Sequence, residues 1–286
     1  MENAAWKHKE IRTQTRPQPW VVPGSAQGWY TSPPGLPDLA ARFAPISLKE
    51  MDAVALLDRT DTKFVMPLDK LLSALAAVRT DYRMLVVNGR RLNHYRTLYF
   101  DTAGFELYNL HVNGRAERYK VRSREYTDTG LSFLEVKHKT RTDRTIKDRV
   151  RTSQPVVQMD PAAEAWLTGV YPYDSRALEP KLWNTFTRIT LVSRRCCERV
   201  TLDVDLTFYN ADRVTHLDGI AIAEVKRSQG SQFSPFLAQM RDLRIQPHGF
   251  SKYTLGAAML YDQVKKNEVK PAMLWLNRLS GGISHE

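Results

Sequence analysis

Three stretches between Tyr119 and Arg151 carry charge at every second position, which gathers that charge on one face of an extended strand. They read Tyr119-Lys120-Val121-Arg122-Ser123-Arg124, Phe133-Leu134-Glu135-Val136-Lys137-His138-Lys139 and Lys147-Asp148-Arg149-Val150-Arg151. Two later segments repeat the pattern, with Arg199, Thr201, Asp203 and Asp205 in one and Glu224 and Lys226 in the other. Val121, Leu134, Val136 and Val150 fall between the charges and are expected to face a core. A single sheet face would then collect at least eight cations, with a few carboxylates beside them. Converging cations bind phosphate oxygens, and a neighbouring carboxylate can hold Mg2+ or Mn2+. A surface for bare nucleic acid has little use for carboxylates, so the mixture points to a metal–triphosphate complex.

For any single strand, a solvated outer face is the simpler explanation. It does not account for Lys120, Arg122 and Arg124, which follow one another on one face with no acid between them. Like charges facing each other across strands cost stability unless an anion sits among them.

Other chemistries leave no trace. There is no Gly-rich phosphate loop, dinucleotide fingerprint or His-Glu-x-x-His, so phosphate is not expected at a helix-terminal loop. The seven histidines show no ligand spacing. His138 and His248 read as structural, as do the adjacent Cys196 and Cys197. The last basic helix, with Lys252, Lys265 and Lys266, reads as core-packed through Leu255, Ala258, Met259 and Tyr261.

The elements that must position these residues are legible in outline. Residues 1–45 hold seven of the fifteen prolines and no periodicity, and are expected to form a flexible extension. Ser47-Leu48-Lys49-Glu50 has the spacing of a capping box and predicts a short helix to about Leu57. A first strand follows at Arg59–Val65, and Leu68, Leu71, Leu72, Leu75 and Val78 predict an amphipathic helix. Further strands are expected at Tyr95–Phe100, at the three charged stretches, from Lys181 to Ser193, over Arg199–Phe208 and over Ile220–Lys226. Helices are expected at Ala162–Leu167, from Pro235 to about Leu243, and from a Ser251 cap through Lys266. Residues 267–286 read as a tail. Eight or nine largely consecutive strands predict an α+β fold with a mainly antiparallel sheet. If that sheet closes into a barrel, alternation puts the charged set in the lumen and the apolar set outside, under the helices.

The bulk figures fit this outline. A chain of 286 residues with 42% apolar content can bury a core. Its net charge of +11 calls for a polyanionic partner. No apolar run is long enough to span a membrane. Met1-Glu2-Asn3 opens no secretion signal, and two adjacent cysteines give no disulfide framework, so a cytoplasmic setting is expected.

Nine short motifs, in order, resemble a known family. They are Arg59-x-x-x-Lys63-Phe64-Val65, Tyr99-Phe100-Asp101-Thr102, Lys120-Val121-Arg122-Ser123-Arg124-x-Tyr126, Leu134-Glu135-Val136-Lys137, Lys147-x-Arg149, Pro180 with Arg188, Glu198-Arg199-x-Thr201-x-Asp203, Glu224-Val225-Lys226 and Phe250-Ser251-Lys252-Tyr253. Together, over about residues 46–266, the chain resembles the VTC domain, the polyphosphate polymerase domain of vacuolar transporter chaperones, in a bacterial single-domain form. The resemblance implies a triphosphate tunnel metalloenzyme: a β-barrel of about eight strands with a charged lumen and flanking helices. It implies catalytic roles for Lys63, Arg122, Arg124, Lys137, Arg188 and Arg199. Substrate phosphates would be held by Arg59, Lys120, Lys147, Arg149, Lys226 and Lys252, and a metal, Mn2+ or Mg2+, by Glu224. The implied reaction passes the γ-phosphoryl of ATP to inorganic polyphosphate. The alternatives are a tripolyphosphatase or nucleoside triphosphatase using water, and a non-catalytic polyphosphate binder; no nucleic acid is expected as partner.

Two departures stand out. The superfamily's Glu-x-Glu-x-Lys strand is here Arg59-x-Asp61-x-Lys63, the basic-first form of the VTC branch, and a second lysine of the polymerase is replaced by Gly249.

Overall fold

In a computed structural model, residues 10–11, 32–52, 59–142, 144–228 and 233–280 are described. Their strands are β1 (Glu10–Ile11), β2 (Ala44–Ile46), β3 (Arg59–Pro67), β4 (Tyr82–Leu85), β5 (Asn93–Asp101), β6 (Arg118–Tyr126), β7 (Leu131–Lys139), β8 (Thr145–Thr152), β9 (Glu179–Ser193), β10 (Glu198–Tyr209), β11 (Val214–Leu217) and β12 (Ile220–Ser228). The helices are α1 (Leu36–Ala41), α2 (Leu48–Asp52), α3 (Leu68–Val78), α4 (Glu106–Val112), α5 (Pro161–Leu167), α6 (Pro235–Asp242), α7 (Lys252–Leu260) and α8 (Lys270–Ser280).

All twelve strands belong to one sheet, with the main order β1-β8-β7-β6-β5-β9-β10-β12-β3. Among the described residues only the short β1–β8 and β2–β4 pairs are parallel. This is the α+β, mainly antiparallel class that the alternation predicts. No backbone ladder joins β3 to β8, so among the described residues the sheet curls without closing.

The apolar set packs outward. Val121, Leu134, Val136 and Val150 are buried under α5 with Leu167 and Tyr171. On the other half, Met66, Ile189, Leu202 and Val225 pack with Leu71 and Leu75 of α3 and Phe236 of α6. The predicted capping box is formed, with the Ser47 backbone N–H donating to Glu50 Oε2 at 2.9 Å and Glu50 N–H to Ser47 Oγ at 3.3 Å.

The charged face is not uniform. Alternation puts Val65 beside Lys63, Ile222 beside Glu224 and Phe186 beside Arg188, and these apolar members pack against Tyr253, Leu255 and Ala257 of α7. One helix therefore lies on the charged side and fills one end of the concavity. Its approach needs Gly256, where an added Cβ would stand 2.6 Å from the Phe208 ring.

Several boundaries differ from the sequence expectation. The stretch 1–45 is not all extension: Leu36, Ala40 and Phe43 are buried against α3, and Glu10–Ile11 pairs with β8. Residues 270–280, expected to belong to a tail, form a helix with Leu276 buried. The helix expected through Lys266 stops at Leu260. There the backbone of Tyr261 turns extended (φ −123°, ψ 126°), and its hydroxyl donates to the Lys181 carbonyl at 2.5 Å. Strands β4 and β11 and helix α4 were not expected. The part of the capped helix beyond Asp52 lies outside the described residues. No helix among the described residues is long and apolar enough to cross a membrane.

Candidate functional site

Curling of the sheet brings strands far apart in its order face to face. Lys137 on β7 feels Lys63 on β3 and Glu224 on β12, although five strands separate β7 from β3 along the ladder. The segment Pro247–Ser251 runs along the edge of β3, through a Phe64–Pro247 bridge and a His248 N–H to Lys63 carbonyl bond of 2.8 Å. It reaches β6 where Lys120 Nζ donates to Ser251 Oγ at 2.9 Å. Lys63 Nζ donates to the Phe250 carbonyl at 3.1 Å. These pieces, with β7 and β12, line a cavity of about 1270 Å3.

Three lysines meet there with no carboxylate within 4 Å among the described residues: Lys63, Lys120 and Lys137, the first and last of which feel Glu224 from farther off. Burial, then Lys63, pushes Lys137 down to about 8. Burial, then Lys137 and Lys63, takes Lys120 well below the ordinary lysine range. Crowded, half-desolvated ammonium groups of this kind are stabilised by an arriving anion.

The remaining cations are held by carboxylates. Glu135, 1% exposed, accepts from Arg122 Nε at 2.7 Å and lies 2.6 Å from Lys147 Nζ. Burial alone would raise its pKa; Arg122, Arg124 and Lys147 outweigh that and keep it ionised. Asp203, 3% exposed, takes two bonds from Arg188, Nε to Oδ1 at 2.6 Å and Nη2 to Oδ2 at 2.7 Å. It also accepts from Lys252 Nζ of α7. Burial opposes its ionisation too, and Arg188 and Lys252 override it. Arg124 lies between these two ion clusters, feeling Arg122 and Glu135 on one side and Arg188 on the other. Its Nε donates to Thr97 Oγ1 at 3.3 Å.

Glu224 stays charged, held down at about 2 by Lys226 and Lys63 against its burial. It is paired with Lys226, which lies 3.7 Å from Asp61. Among the described residues no group of three or more His, Cys, Asp or Glu side chains could hold a metal by itself. One ionised carboxylate facing a basic cavity nevertheless suits Mg2+ or Mn2+, which take one or two protein carboxylates and fill the rest with phosphate oxygens and water.

Of the residues singled out in the sequence, the structure gathers Lys63, Lys120, Arg122, Arg124, Lys137, Lys147, Arg188, Glu224, Lys226 and Lys252. Arg149 is on the same face of β8, its guanidinium 4.9 Å over the Phe133 ring. Arg199 shares the face of Thr201 and Asp203 but donates to the Met51 carbonyl of α2 at 3.2 Å, at the rim. The Arg59 side chain lies outside the described residues. Asp205 does not stand beside Asp203. A bulge between Val204 and Thr207 breaks the alternation there, and Asp205 (φ 53°) lines a separate cavity with His216 and Asp218.

Glu135 and Asp203 stand within this cluster of cations, and the sequence assigns neither an individual role. Their alternation with Lys137 and Thr201 was the available signal. His138 is bonded to Glu117 and stacked on Tyr119; His248 is stacked on Trp275 and lines the cavity beside Lys63.

Comparison with known proteins gives one family match: the VTC domain, over residues 58–261. No curated protein matches the chain in sequence. Among solved structures, a protein from Vibrio parahaemolyticus described as a candidate adenylate cyclase is 15% identical, with a TM-score of 0.40 over 68% of this chain and 95% of its own. One from Bacillus halodurans, similarly described, is 11% identical, with a TM-score of 0.43 over 68% and 94%. A Hippeastrum protein described as a candidate adenylyl cyclase with a dominant triphosphatase activity is 12% identical, with a TM-score of 0.42 over 72% and 98%.

Proposed function

We propose, from the premise that this chain belongs to the VTC domain family, that it is a metal-dependent polyphosphate polymerase that moves the γ-phosphoryl of ATP onto a polyphosphate chain. The observation that carries this reading is the convergence of Lys63, Lys120 and Lys137 from three strands on one cavity, with no carboxylate within 4 Å of them among the described residues and with the ionised Glu224 lining the same cavity.

Phosphoryl transfer passes through a loose transition state whose charge lies on the phosphoryl oxygens, so positioning and cationic stabilisation supply most of the catalysis. Lys63, Lys120 and Lys137 bind and orient the triphosphate. Arg122, Arg124 and Arg188 stand farther along the same face, with Lys147 and Lys252 behind them, and take up charge on the transferring group once the acceptor chain lies along them. Lys226, Arg149 and Arg199 line the approaches, and Arg59 opens the strand that bears Lys63. Glu224 would hold the Mg2+ or Mn2+, which when bound neutralises charge on the triphosphate. A terminal phosphate as acceptor needs little deprotonation, so no dedicated general base is required.

The test is to incubate the protein with ATP and Mn2+ and resolve the products by size. Long phosphate chains support the polymerase. Free phosphate alone points to hydrolysis, and inertness with tight chain binding points to a binding module.

A further inference from the structure

The cations of the concave face fall into two groups. Lys63, Lys120 and Lys137 have no carboxylate within 4 Å among the described residues, whereas Arg122 and Lys147 share Glu135, and Arg188 and Lys252 share Asp203, in contacts of ion-pair length. Each carboxylate is almost wholly buried. Each is gripped from two elements at once, Glu135 from β6 and β8, Asp203 from β9 and α7. Two-sided, charge-assisted contact of this kind, including a bidentate arginine, is what a phosphate group receives from a protein. The chain has therefore placed its own anions where a phosphate would find its donors, and Arg124 links the two places into one row.

We propose that Glu135 and Asp203 are built-in counter-anions that reserve the Arg122/Lys147 and Arg188/Lys252 subsites for long linear polyphosphate and exclude short phosphate anions from them. The proposal rests on the phosphate-binding reading above and adds its selectivity. A short anion satisfies itself at the three lysines and gains little by competing with a carboxylate that is already in place. A long chain anchored on those lysines delivers its next phosphates at high effective concentration, and displaces the carboxylates in turn.

The experiment measures the affinity of pyrophosphate, tripolyphosphate and long-chain polyphosphate by calorimetry, with EDTA present to keep metals out, for the wild type, Glu135→Gln and Asp203→Asn. Melting temperatures with and without ligand accompany each titration. In the wild type, long chains bind far more tightly than pyrophosphate. In each variant that folds, removing one nearby negative charge tightens pyrophosphate and tripolyphosphate on the order of tenfold, long chains gain much less, and the preference for length shrinks. The variants also melt lower than wild type alone and gain more on adding tripolyphosphate. Equal wild-type affinity for pyrophosphate and long chains overturns the proposal even if neither variant folds. So does an unchanged length preference in folded variants, or weaker binding of short anions by them. A wild type that binds none of the three anions overturns the phosphate reading itself, and this one with it.

Discussion

Arg188 and Asp203 face each other across β9 and β10 as a fork on a fork, with two parallel contacts of 2.6 and 2.7 Å. Lys252 closes on the same carboxylate from a helix, which ties α7 to the sheet at the site itself.

Removing the guanidinium strands the carboxylate. Arg188→Ala leaves Asp203 buried with Lys252 as its remaining partner, and loss of one member of a buried pair costs about 3–5 kcal/mol. A lowered denaturant midpoint is expected. An unchanged midpoint would show that water replaces the arginine at no cost.

Lys63 makes no close ion pair among the described residues, so its truncation reads out binding more directly than loss of a paired arginine does. Lys63→Ala is expected to weaken tripolyphosphate by roughly tenfold or more, the worth of one charge-assisted bond at about 1.5–3 kcal/mol. Calorimetry at fixed ionic strength checks this, and wild-type affinity would remove Lys63 from the site.

Glu224→Ala is expected to abolish metal-dependent turnover of ATP while the far-ultraviolet circular dichroism and melting temperature stay close to wild type. Turnover at the wild-type rate would show that the metal is held elsewhere.

The pH dependence follows from the lysines. Lys137, Lys147 and Lys252 are each pushed down to about 8, mainly by burial. The folded state thus favours their neutral form, a handicap to stability that is full below about 8 and relieved as pH climbs toward the ordinary lysine range. Anion binding has the opposite sign, because it needs the charge. Tripolyphosphate affinity is expected to fall as pH rises through about 8, and Lys137→Arg, charged throughout, should move that fall to higher pH. A flat profile from pH 7 to 10 would contradict the assignment.

Gly256→Ala sets a methyl group against the Phe208 ring on the face where α7 docks. Overpacking of this kind costs about 1–3 kcal/mol, so a lower melting temperature is expected, together with weaker polyphosphate binding as Lys252 shifts. A melting temperature equal to wild type would mean that α7 rides over the sheet more loosely than the contact implies.

Alternation alone made the sheet legible: Val121, Leu134, Val136 and Val150 are buried, and the charges between them share a face, because a strand has only two sides. It could not show which charges meet across the concavity. Glu135 looked like one acid in a basic strand until β6 and β8 flanked it with Arg122 and Lys147. Helix α4 carried no local start signal, since Phe105 before it offers no side-chain cap. Its free N–H groups at Leu107 and Tyr108 donate to Asp101, at the end of β5. The bulge that turns Asp205 away from Asp203 has no signature in a run of Val, Asp and Leu. The end of α7 is set by the contacts of Tyr261 with Lys181 and Phe105, far off in the chain.

The strap Pro247–Ser251 has a consequence for biosynthesis. Lys63 waits for Phe250, 187 residues downstream, and Lys120 waits for Ser251. A ribosome that has made β3 through β12 has already displayed the basic groove, while the piece that borders it is still in the exit channel. During that interval the nascent chain is an open cationic trough beside ribosomal RNA, and the arrival of the last helices turns an indiscriminate surface into a guarded one.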